Sequence, residues 1–134
     1  MTLRRPLLRT IQITLFVSVF SGTTGFASDL SAQYEECRAR SQSGVQTKTC
    51  LAQELDRQDA RLNMAYRDAM ARLPPQRQYH LREAERAWIK WRDAKCLAAG
   101  DGSKAAAVYD YPLCMATEAA RRADVLEKAN SQKN

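Results

Sequence analysis

The chain has 134 residues and a formal net charge of +6, but three arginines and no acid lie in the first 27 residues. The remainder carries 18 basic against 15 acidic side chains, an excess of about +3 that is too small and too interspersed with acids to point to nucleic acid. His80 is the only histidine and no Cys-x-x-Cys pair exists, which argues against a zinc site, and no glycine-rich phosphate loop is present, so the sequence implies no metal and no cofactor.

Residues 1–27 have the composition of an export signal. Arg4, Arg5 and Arg9 form a basic start, IQITLFVSVF an apolar core, and Gly25 and Ala27 a small-residue cleavage pattern before Ser28. The apolar run of about ten residues is half of the roughly 20 that a spanning helix needs, so no stable membrane insertion is expected after cleavage. Residues 28–134 then form a single domain with a polar tail from about residue 129, and the expected location is periplasmic or secreted. All four cysteines, Cys37, Cys50, Cys96 and Cys114, fall in this part, and an even count in a short exported chain indicates two disulfides.

The elements that follow read as helices, giving an all-α fold. Leu30 to Arg40 is a short helix, and Ser43 in the turn-prone SQSG is a cap for the next. From Thr47 to Leu73, Leu51, Leu55, Leu62, Tyr66, Met70 and Leu73 recur at helical spacing. Pro74 and Pro75 end that helix and start another, which runs to Ala98 with a stripe of Leu81, Ala84, Trp88, Trp91 and Lys95. The connection AAGDGSKAAAVYDYPL leads to a last helix from near Pro112, through Val125 and Leu126, to about Lys128.

A two-residue proline junction predicts an antiparallel hairpin of the two long helices. Reflection across it sets Leu62 near Trp88 and Asp59 near Arg92, with both tryptophans in the core, Arg92 and Asp59 as a shielded ion pair, and all four cysteines at one end. Four cysteines allow three pairings. Local loop closure favours Cys37 with Cys50 and Cys96 with Cys114, against Cys50 with Cys96 and Cys37 with Cys114.

The stretches DARLNMAY, with Asp59, Leu62, Asn63 and Tyr66, and AERAWIKWRDAKC, with Trp88, Trp91, Arg92, Asp93 and Cys96, resemble the LprI-type lysozyme inhibitor family from Cys37 to about Leu126. Arg122 and Leu126 also fall at the family's positions. The chain departs from the usual pattern at Glu85, where glutamine is common, and at Glu118 and Ala119, where a Leu-Thr pair is common. The resemblance implies a disulfide-stabilised helical protein of the cell envelope that inhibits lysozyme by protein–protein binding, with the shared residues in structural roles.

Many animal lysozymes are strongly basic, so a partner surface on this chain is expected to be locally acidic: Glu54, Asp56 and Asp59 on the first long helix, or Asp101 and Asp110 in the connection. An enzyme is the weaker reading. No nucleophile stands beside a base, and Glu35 with Glu36 or Glu83 with Glu85 have no spacing that marks a small cell-wall hydrolase. A structural or adaptor protein of the envelope with another partner is the remaining alternative.

Overall fold

The structure, a computed structural model, describes residues 30–100 and 102–132. The export-signal segment and Asp101 lie outside these residues. Four α-helices are present: α1, Ala32–Arg40; α2, Gly44–Arg72; α3, Pro75–Ala98; and α4, Tyr111–Ser131, which a π-helical turn, Ala106–Asp110, precedes. No strand occurs among the described residues, and none of these helices is long and apolar enough to cross a membrane.

Local chemistry sets the helix ends. Ser31 and Ser43 cap α1 and α2 by accepting hydrogen bonds from the backbone N–H groups of Tyr34 and Gln46. Leu73 and Pro74 are extended, and Pro75 occupies the first turn of α3. The Gln78 side chain then reaches back and donates to the Met70 and Leu73 carbonyls at 3.0 Å each, satisfying acceptors that the end of α2 leaves open. Gly102, with φ of 78°, turns the chain after α3. Beyond it the alanine-rich run that was expected to be a plain connection is already helical, since Lys104 to Asp110 contains no breaker. At the other end α4 outruns the predicted tail: Asn130 donates to the Ala65 carbonyl, and Arg72 donates to that of Asn130.

The tight partner of α2 is α4, not α3. Ala116, Ala119, Ala120 and Ala123 are all at 0% exposure, spaced three, four and seven apart, so they form one smooth stripe. Opposite stand Leu62, Ala65 and Ala69 of α2. Side chains this small let two backbones approach, and the core forms where Leu62, Ala65, Ala119, Ala123 and Leu126 meet. Val125 of α4 is 56% exposed. On the outer edge Arg61 donates to Asp124 and Glu127, tying the same two helices.

The hairpin of α2 with α3 is therefore much looser than the proline junction suggested. Only Cys96 of α3 is fully buried, while Leu81 and Trp88 reach the core from the side. Trp91 is 50% exposed, contrary to its expected place in the core. Its spacing of three from Trp88 carries it past the inward stripe, which steps Leu81, Glu85, Trp88, Arg92 and Cys96 at four, three, four and four residues.

Two disulfides fasten the outer helices. Cys37–Cys50 joins α1 to α2, and Cys96–Cys114 joins α3 to α4, with Cα separations of 5.7 and 5.5 Å. These are the pairs that local loop closure favours. Loops of 13 and 18 residues correspond to about 3 kcal/mol of stabilisation each in a chain-entropy description.

The seam makes a direct prediction. Ala119→Leu should overpack it and lower stability by about 1–3 kcal/mol in chemical denaturation, whereas Ala129→Leu on the exposed side of α4 should stay within about 0.5 kcal/mol of the parent. Equal losses in the two variants would mean that the seam is not close-packed.

Candidate functional site

Because α3 does not close onto α2, a groove of about 420 Å³ opens between them. From α2 it is lined by Asp59, Leu62, Asn63 and Tyr66, which share a face at offsets of three, four and seven. From α3, Arg82, Glu85, Arg86 and Ile89 repeat the same offsets, with Trp88 and Arg92 nearer the core. The residues expected to be purely structural thus border an open surface.

Two guanidinium groups lie over the Trp88 ring, Arg92 at 5.1 Å and Arg122 at 5.8 Å from its centre. Arg122 in turn donates two hydrogen bonds to the Glu85 carboxylate, whose side chain is only 12% exposed. Further along, Lys95 donates to Glu118 at 2.7 Å, and Arg121 donates to the same oxygen at 3.1 Å. Glu85 and Glu118 are both largely shielded from water. Both serve the same purpose, since each carboxylate joins α3 to α4 through a basic partner on the facing helix.

The expected Arg92–Asp59 pair is present only as a long contact of 3.9 Å. Arg92 instead donates to its neighbour Asp93 at 2.9 and 3.0 Å. Burial pushes the Asp59 carboxyl above its ordinary value; Arg92 lowers it in part, and Asp56 raises it again. Lys95 covers the ring of Trp91 at 4.9 Å, leaving the other parts of that side chain in water.

Among the described residues the acidic candidates divide between the interior and the surface. Glu54 is fully buried, which corrects its assignment to a partner surface. Its carboxylate accepts from the Ser31 backbone at 2.6 Å, the Ser31 hydroxyl at 2.5 Å, Gln58 at 2.7 Å and Arg57 at 2.9 Å. It anchors the start of α1 to α2 beside the small cluster of Tyr34, Cys50 and Leu51. Asp56 is exposed on α2 and Asp110 is exposed in the π turn. Among the described residues no three His, Cys, Asp or Glu side chains are grouped to hold a metal ion.

Sequence reasoning gave Arg82 and Ile89 no role and did not place Glu85 and Arg86 at a groove. The available signal was the charge of this helix taken alone, six basic against three acidic side chains, which the whole-chain average hides.

The architecture is that of a small, disulfide-stapled, all-α domain with an open groove flanked by charge. Residues 37–126 match the family model described as Lysozyme inhibitor LprI, and the chain belongs to that family. Comparisons with curated proteins and with solved structures find no match.

Two substitutions test the electrostatics. Burial alone would raise the Glu54 carboxyl, but hydrogen bonds from the Ser31 side chain, Gln58, the Ser31 backbone and Arg57 outweigh it and hold it below its ordinary 4.5. A folded-state value below the unfolded one supplies stability above about pH 4.5 that is lost as pH falls through the folded value. Accordingly, the difference in Tm between the parent and Glu54→Gln should be large at about pH 7 and shrink toward about pH 3; a constant difference contradicts the assignment. Separately, Glu85→Ala should cost about 1.5–3 kcal/mol by stranding Arg122, clearly more than Asp59→Ala, in urea titrations at neutral pH.

Proposed function

We propose that this chain is an exported, non-enzymatic inhibitor of lysozyme that acts by protein–protein binding in the periplasm or outside the cell. Residues 1–27 are the export signal and residues 28–134 the working domain. The observation that carries the reading is the family match, which spans both disulfides and both sides of the groove. Two bridges in a small domain suit an oxidising compartment. The groove is bordered by arginines, carboxylates already engaged in ion pairs, and apolar side chains, a composition suited to gripping a surface.

The decisive assay follows lysis of a bacterial suspension by several lysozymes, with and without the purified oxidised domain. Slower clearing in proportion to the amount of domain is the expected result. Unchanged clearing by every lysozyme at micromolar excess would overturn the reading, and clearing by the domain alone would make it a hydrolase.

A further inference from the structure

The charge of the domain is concentrated on one helix. α3 carries six Lys/Arg and three Asp/Glu, a net +3, while the rest of residues 28–134 is balanced at 12 basic and 12 acidic side chains. Arg92 and Lys95 turn toward Asp93 and Glu118. Tyr79, Arg82, Arg86 and Lys90 recur at steps of three and four with Ile89 beside them, and all but the half-buried Arg82 are exposed. Tyr79 and Ile89 are 56% and 43% exposed. Arg86 meets Glu83 in a surface pair of the kind worth little in water. Arg82 lines the groove and has no ion pair among the described residues.

We propose that this cationic ridge is the surface that engages lysozyme, and that it enters the enzyme's substrate cleft to face the catalytic carboxylates. The proposal rests on the inhibitor reading and goes further by naming both surfaces. A basic helix gains nothing by approaching the outside of a basic enzyme. Glycoside hydrolysis nevertheless requires two carboxyl groups flanking the scissile bond, and in lysozyme one of them stays ionised at neutral pH. The cleft is therefore where a basic enzyme must keep negative charge. Guanidinium–carboxylate bonds made there, shielded from water, are stronger than the same bonds on an open surface. The shape agrees: α3 is the helix that the core holds least, and the stretch from Pro75 to Lys90 is a ridge roughly 24 Å long at 1.5 Å per residue.

The test is steady-state kinetics of lysozyme on a soluble chitooligosaccharide at several substrate concentrations. Three proteins are compared: the parent domain, R82E/R86E, and K48E/K104E, which changes net charge equally at exposed sites elsewhere. The parent should raise apparent KM without changing kcat, R82E/R86E should lose at least about tenfold in Ki, and K48E/K104E should stay within about twofold. Circular dichroism checks that each variant folds, and R82Q/R86Q, expected to weaken in the same direction, replaces a double variant that does not. If the parent inhibits by lowering kcat alone, or if R82E/R86E or its replacement inhibits as well as the parent, the ridge proposal fails while the inhibitor reading stands. If the parent does not inhibit any lysozyme tested, both fail.

Discussion

The close approach of α4 to α2 through four buried alanines is the constraint on which the other features depend. Alanine loses no side-chain rotamer freedom on burial, so a seam of this kind is stabilised by backbone proximity and dispersion without the ordering cost of longer side chains. Once α4 occupies that side of α2, α3 has to lie against their flank. It touches the core through Leu81 and Trp88 and buries fully only Cys96. A helix so placed needs other fastenings. They are the Cys96–Cys114 bridge and two carboxylates, Glu85 and Glu118, held by Arg122 and Lys95.

Two of these fastenings are cross-helix ion pairs: Glu85 faces Arg122, and Glu118 faces Lys95. Largely desolvated pairs of this kind are weak contributors to net stability but costly to break on one side. Their effect here is geometric. They set α3 at a distance from α2 that leaves the groove open, and they consume the inward charges, so that the uncompensated ones point out.

Much of the fold was legible in the sequence because its signals are local. The Pro74–Pro75 break, the Ser43 cap and the helical spacing around Leu51 and Leu62 depend on near neighbours along the chain. The two disulfides follow from the same locality, each closing a short loop. The partner of α2 was not legible. A stripe of alanines looks featureless in a hydrophobic pattern, so the next helix along the chain was assigned to the place that the last one takes. Trp91 was misplaced for a related reason, since a shared face with Trp88 does not say which part of that face turns inward. At the site, Asp59, Leu62, Asn63 and Tyr66 were singled out for their pattern, but their exposure along a groove depends on the splay of α3. Glu54 shows the opposite case: a carboxylate among other acids reads as surface, and only the fold reveals four hydrogen bonds closing around it.

The molecule divides into a scaffold, α2 with α4, and a less embedded helix, α3, for which contact with a partner is proposed. Hydrogen exchange of the oxidised domain, alone and with an equimolar lysozyme that it inhibits, tests that division most directly. The result predicted is new protection concentrated on α3 between Tyr79 and Lys90, with the amides of the α2–α4 seam unchanged. New protection at the α1–α2 end or around Asp110, with α3 unaffected, would contradict it.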